Sequence, residues 1–143
     1  MNVLVIHGPN LHLLGRRKPQ LYGTATLARL NADIKKHAAG LGLKVRAFQA
    51  NGEGEIIDLL TANAPWADAL VINPAAYTHY SYAIRDAIEA LELPSVEVHL
   101  TDISKREPFR RRSVIKPVCR AQFKGGGPAS YFKALEFCAS LKK

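Results

Sequence analysis

The sequence predicts an α/β fold in which a five-stranded parallel sheet is covered by helices on both faces. Three observations carry that expectation. Short apolar runs alternate strictly with stretches whose apolar residues recur every three or four positions, and strands alternating with helices build parallel sheets. The first run, Asn2–His7, is almost continuously apolar, as a strand buried on both faces must be. Polar residues gather just after the strands, in Gly8-Pro9-Asn10, Asn73-Pro74 and His99-Leu100-Thr101, where ligands bind in such sheets.

Each further element follows from its own residues. Ala25–Leu41 places Leu27, Leu30, Ile34, Ala38 and Leu41 along one helical face, and Gly40 and Gly42 punctuate its end. Leu43–Phe48 reads as the second strand, and Glu55–Ala62 as a helix closed off by Pro65. Asp68–Asn73 is a third, buried strand, Ser81–Leu91 a helix, and Ser95–His99 the fourth strand. Val118–Phe123 is the fifth. There Cys119, Ala121 and Phe123 alternate with Arg120, Gln122 and Lys124, and one polar face suits an edge. Ala129–Leu141 is the final helix. At 143 residues the chain, 1–143, fits one domain. The natural arrangement at this size is the flavodoxin-like three-layer sandwich with strand order 2-1-3-4-5.

Composition narrows the class. Hydrophobic residues make up 48% of the chain, too many for a disordered polymer and enough for a packed core. Apolar runs such as Ala69–Ile72 fall far short of the ~18–20 residues of a membrane span. Met1 leads straight into the first strand with no basic leader, so the expected location is the cytoplasm. Cys119 and Cys138 read as buried thiols, and the histidines show no zinc-site spacing, so no metal is expected.

The formal charge of +8 is the unusual bulk property. It fits a nucleic-acid partner, an anionic small substrate or a solvated face. Much of it lies in Lys105–Arg112. A nucleic-acid reader would set aromatic platforms or a recognition helix beside that cluster, and only Phe109 is near, so no nucleic acid is expected.

Nucleotide chemistries of the same fold need residues that are absent. Gly8-Pro9-Asn10-Leu11-His12-Leu13-Leu14-Gly15 does not match a dinucleotide G-x-G-x-x-G, and no Walker loop is present. A phospho-accepting receiver would place acidic residues where His7 and Asn73 stand. Gly125-Gly126-Gly127 before the last helix is either a plain turn or an anion site at the helix N-terminus.

The segment from His7-Gly8-Pro9-Asn10-Leu11 through Arg16-Arg17-Lys18-Pro19-Gln20-Leu21-Tyr22-Gly23 resembles the N-terminal signature of the type II dehydroquinases. Three more blocks agree in order and spacing: Asn73-Pro74-Ala75-Ala76-Tyr77-Thr78-His79, Glu97-Val98-His99-Leu100-Thr101-Asp102, and Arg106-Glu107-Pro108-Phe109-Arg110. The similarity spans nearly the whole chain. It implies a flavodoxin-like subunit assembled as trimers that pack into a dodecamer. It also implies a hydro-lyase, without cofactor, metal or covalent intermediate, on the shikimate or quinate route. That enzyme removes water from 3-dehydroquinate by anti elimination, through an enolate, to give 3-dehydroshikimate.

Such a reaction needs a base for the C2 proton, an enolate stabiliser, an acid for the departing C1 hydroxyl and an anion clamp. By the resemblance Tyr22 is the base, with Arg17 five residues upstream as the cation that favours its phenolate. Asn10 stabilises the enolate. His99 is the general acid, and Glu97, two residues earlier on the same strand, faces the same way and can orient the imidazole. Asn73 and the Leu100–Thr101 backbone hold the substrate carboxylate, while His79 and Arg110 contact the ring hydroxyls. Asp86 reaches the site of an adjacent subunit, and Arg106 braces its loop.

The chain departs from the family pattern in places that take away none of these residues. Lys18 stands where glutamate is usual, His12 where asparagine is frequent, and Ala75 and Ser130 where glycine is common. Arg111 and Arg112 replace a histidine pair, and the fifth strand is more polar than usual.

Overall fold

The computed structural model describes residues 1–16, 18–22 and 24–141, with the side chains of Leu21 and Tyr22 outside that description. Its five strands are β1 (Asn2–His7), β2 (Lys44–Gln49), β3 (Ala69–Asn73), β4 (Ser95–His99) and β5 (Ala121–Lys124). All pairs are parallel, in the order β2-β1-β3-β4-β5. The helices are a single turn α1 (Pro19–Tyr22), then α2 (Leu27–Gly40), α3 (Glu53–Asn63), α4 (Tyr82–Leu91) and α5 (Pro128–Ser140). No described helix is long and apolar enough to cross a membrane.

Strand side chains alternate between faces, and the core divides accordingly. Val3, Val5, Ala69, Val71, Val96 and Val98 pack with Leu30, Ile34 and Ala38 of α2 and with Tyr131, Ala134 and Leu135 of α5. Leu4, Ile6, Leu70 and Ile72 pack on the other face against Ile56 and Leu60 of α3 and Ile84 and Ile88 of α4. Near-continuous apolar strands are the consequence of this double coverage.

The starts of the four longer helices differ from the sequence expectation by one or two residues, and capping side chains explain those of α2, α3 and α4. Thr26 accepts from the Arg29 N–H (3.2 Å), so α2 begins at Leu27 rather than Ala25. The Glu55 carboxylate reaches back to the Gly52 N–H (3.1 Å), which starts α3 two residues early. Ser81 caps α4 by accepting from the Ile84 N–H (3.1 Å).

The fifth strand is the larger correction. It begins at Ala121, not Val118, because Lys116–Val118 forms a 3-10 turn around Pro117. That turn breaks the alternation read from Cys119. Cys119 packs with the α3–α4 face, whereas Ala121 and Phe123 pack with the α2–α5 face. β5 is nonetheless an edge strand, as its polar pattern indicated.

Two backbone features bring the strand ends together. Gly8 donates its N–H to the Asn73 carbonyl (2.8 Å). A Cβ on Gly8 would lie 2.7 Å from Pro74 backbone atoms, so only glycine allows β1 and β3 to deliver their loops side by side. Ala75 has a φ of 53°, in the left-handed region where glycine is at ease.

Glu92 ends α4 in the same left-handed region, at φ 55°, and is exposed. Glu92→Gly should stabilise the protein by about 1 kcal/mol, since glycine is the residue this helix ending favours. A raised midpoint in chemical denaturation at unchanged slope is the expected result, and a lowered midpoint would contradict it.

Candidate functional site

The carboxyl ends of β1, β3 and β4 open onto one pocket. It is lined by Asn10, Asn73, His79, His99, Leu100, Thr101, Arg106 and Arg110, with Pro9, Leu11, Ala75, Ala76 and Ile103 filling between them. Eight of the residues singled out from sequence therefore meet there: Asn10, Asn73, His79, His99, Leu100, Thr101, Arg106 and Arg110. No Asp or Glu is among these lining residues, while two arginines and two histidines are. That balance suits an anionic ligand.

Beneath His99 lies a fully buried carboxylate. Glu97 has no exposed surface, and its Oε1 accepts from His99 Nε2 at 2.7 Å. The Thr78 hydroxyl donates to the same oxygen. Ser113 Oγ lies 2.8 and 2.9 Å from the two oxygens, and Gln122 Nε2 donates to Oε2 at 2.9 Å. Burial by itself would raise the Glu97 pKa. The hydrogen bond and charge of His99, with the two hydroxyls, outweigh burial and hold the carboxyl below its ordinary value. Glu97 is thus an anion at neutral pH. It fixes His99 Nε2 as a donor and leaves Nδ1 as the ring nitrogen for a ligand.

A second, neutral network orders the other side of the pocket. His7 Nε2 donates to Asn31 Oδ1 (2.7 Å), so His7 Nδ1 accepts from the Tyr131 hydroxyl (2.9 Å). Tyr131 in turn accepts from Asn73 Nδ2 (3.1 Å), and Asn73 Oδ1 accepts from the Ala75 N–H (3.0 Å). These partners fix the orientation of the Asn73 amide. One N–H is committed to Tyr131, which leaves the second for the pocket. Burial pushes the Tyr131 phenol above its ordinary value and the His7 imidazole down to about 4, the Asn31 contact offsetting only part of the latter.

The rim is held from several loops. His79 Nδ1 donates to the Arg112 carbonyl (2.7 Å), so Nε2 is left as an acceptor. Burial, followed by the charges of His99 and Arg110, lowers the His79 pKa despite the Arg112 bond, which keeps that lone pair free. Arg110 pairs with Glu107 and lies over the Phe109 ring, 4.7 Å from its centroid. Asn10 adopts a left-handed φ of 69° and anchors its N–H on Asn51 Oδ1 (3.1 Å).

One expected residue is not brought to this pocket, and two fall wholly or partly outside the described residues. Asp86 is exposed on α4 and is not among the lining residues. Arg17 lies outside the described residues, and for Tyr22 only the backbone at the end of α1 is described. Sequence reasoning also missed Ser113, Gln122, His7 and Tyr131 as supports. Gln122 had one visible trace, its place on the polar face of an apolar-flanked strand.

Two N–H groups of the glycine turn are committed within the protein. The Gly126 N–H donates to Ser130 Oγ (3.0 Å) and the Gly127 N–H to the Leu100 carbonyl (3.0 Å), which ties α5 to the loop after β4. Ser130 is buried and supplies that hydroxyl. Among the described residues, no group of three or more His, Cys, Asp or Glu side chains is placed to hold a metal ion.

A family model described as dehydroquinase class II matches residues 1–139. The chain is 48% identical over 141 residues to the 3-dehydroquinate dehydratase of Pelotomaculum thermopropionicum, covering 99% of this chain and 98% of that one. It is 50% identical over 141 residues to the 3-dehydroquinate dehydratase of Halothermothrix orenii, covering 99% and 95% respectively. Among solved structures, the type II dehydroquinase of Butyrivibrio crossotus superposes with a TM-score of 0.93 at 41% identity, with 96% of each chain covered.

The buried histidine makes stability depend on pH. His7 is neutral in the folded state with a pKa of about 4, against 6.5 for the free side chain. Its contribution is fully present above 6.5 and is lost as pH falls from there towards 4, on the order of 3 kcal/mol in all. Glu97, whose pKa is lowered, adds a further loss at lower pH, below the ordinary carboxylate range. Denaturant unfolding between pH 7 and 4.5 should show a decline that His7→Asn flattens. Equal slopes in both proteins would rule His7 out as its source.

Proposed function

This chain belongs to the class II dehydroquinase family, and from that premise we propose that it is a 3-dehydroquinate dehydratase whose proton donor is the buried Glu97–His99 pair. The observation that carries the reading is that pair, set beneath a pocket lined, among the described residues, by two arginines and no carboxylate. Residues 1–143 then serve as one dehydroquinase domain on the shikimate or quinate route.

In this reading Tyr22, as a phenolate favoured by Arg17, takes the proton from C2 of the substrate. The electron pair moves into the C3 carbonyl and forms an enolate, which Asn10 stabilises from the loop after β1. As the enolate collapses, the C1–oxygen bond breaks and His99 gives its proton to the departing hydroxyl, which leaves as water. Glu97 stays ionised and shares the imidazolium charge of His99 before the transfer. Solvent then returns a proton to His99 and takes one from Tyr22, so the enzyme emerges unchanged.

Binding follows the same geometry. The free Asn73 N–H and the backbone N–H groups of Leu100 and Thr101 supply donors for the substrate carboxylate. His79 Nε2 accepts from one ring hydroxyl and Arg110 donates to another. Arg106 adds positive charge at the mouth. Asp86, exposed on α4, has a role only if a neighbouring copy brings it to a pocket, as the trimer-based dodecamer of the family would. A cytoplasmic location accords with these roles.

The test is to follow the ultraviolet absorbance of the conjugated enone when purified, chelator-treated protein meets 3-dehydroquinate. Steady turnover, insensitive to borohydride, is expected. His99→Ala and Tyr22→Phe should each lower kcat by roughly 10²–10⁴-fold with the fold intact. No turnover by folded wild-type protein would refute the reading, and near-normal rates in both variants would refute the assigned roles.

A further inference from the structure

We propose that Gln122, on the edge strand β5, is a positioning residue for the dehydration, acting through Glu97 on His99. The proposal deepens the functional reading above and rests on it. It starts from an inventory of the donors around the buried carboxylate. Oε1 receives His99 Nε2 and the Thr78 hydroxyl. Ser113 Oγ lies within reach of both oxygens, but one hydroxyl proton serves one bond at a time. The Gln122 amide, 2.9 Å from Oε2, is the donor committed to the second oxygen.

That commitment has two consequences. It fixes the plane of the carboxylate, and with it the direction in which Oε1 meets His99 Nε2. It also draws negative charge towards Oε2 and away from the imidazole, which sets how firmly Glu97 holds the His99 proton. Gln122 does not line the pocket, so its influence on substrate can only be indirect. The register makes the contact obligatory, because Gln122 pairs directly with Glu97 across the β4–β5 ladder.

Among the described residues, the charged and ionisable groups around the pair are few. His79 faces it from the loop after β3, and Arg106 and Arg110 from the loop after β4. Cys119 approaches from ahead of β5, with its thiol pushed up to about 12 by burial and then by the charge of Glu97. None of these replaces a neutral donor on Oε2, so loss of Gln122 should leave Glu97 with more charge to offer His99.

The experiment compares wild type with Gln122→Leu, Gln122→Met and Gln122→Asn, the last polar but too short to reach Oε2. The readouts are kcat and KM against pH, with the titration of His99 followed by NMR in histidine-labelled protein without substrate. All three variants should lower kcat several-fold at unchanged KM. They should also move the alkaline limb of the kcat profile and the His99 midpoint upward, by roughly half a pH unit or more. Midpoints unchanged or lowered in the folded variants overturn the proposal, as does Gln122→Asn behaving as wild type. Because the NMR titration needs no turnover, an inactive wild type would defeat the functional reading while leaving the Gln122–Glu97–His99 coupling measurable.

Discussion

A carboxylate with no access to water has to be satisfied from inside, and in this protein that requirement organises the ends of three strands. An uncompensated buried charge costs several kcal/mol, more than most single contacts return. Glu97 avoids that cost with donors from four directions: His99 on its own strand, Thr78 from the loop after β3, Ser113 from the segment after the arginine cluster, and Gln122 from β5. Ser113 is itself pinned, because its oxygen accepts the N–H groups of Ile115 (3.2 Å) and Lys116 (3.0 Å). Loops that would otherwise move independently are therefore tied to one anion, and the pocket they enclose inherits its shape from that tie.

The opposite side of the pocket solves a similar problem without charge. His7, Tyr131 and Asn73 form a directed chain of hydrogen bonds that spans β1, α5 and β3. Each group has one possible role once Asn31 and Ala75 are in place, so the Asn73 amide is held in a single orientation. Charge on one flank and fixed neutral donors on the other is the arrangement that proton transfer to a bound anion needs. A charged group beside Asn73 would instead compete with the substrate for the arginines.

Much of this architecture was legible before the structure because α/β sheets place ligands at strand ends. Asn10, Asn73 and His99 could be read as site residues from position alone, and the type II dehydroquinase blocks extended that reading to His79 and Arg110. The four longer helices were legible from periodicity to within two residues at their ends, capping side chains deciding the starts of α2, α3 and α4, whereas the single turn α1 was not read. Val118–Arg120 was misread as the start of the fifth strand because Val118 and Cys119 look like apolar strand residues, and only the 3-10 turn at Lys116–Val118 reveals otherwise. Ser113 and Gln122 were not legible as supports because their partner lies 16 and 25 residues away. Tyr131 and His7 meet across 124 residues, and no local pattern encodes that. The charge of +8 resolves into unlike parts: Arg106 and Arg110 line the pocket, while Lys105, Arg111 and Arg112 are exposed.

The account stands on Glu97 as the group that holds His99 ready to give up a proton. The direct measurement is kcat and KM of Glu97→Gln with 3-dehydroquinate, in protein whose circular dichroism matches wild type. Glutamine keeps the size of the side chain and removes its charge. The account predicts a kcat lower by about 10²-fold or more, the scale of losing a positioned general acid, with KM within a few-fold of wild type. A kcat within threefold of wild type would contradict it and move the proton donor elsewhere in the pocket.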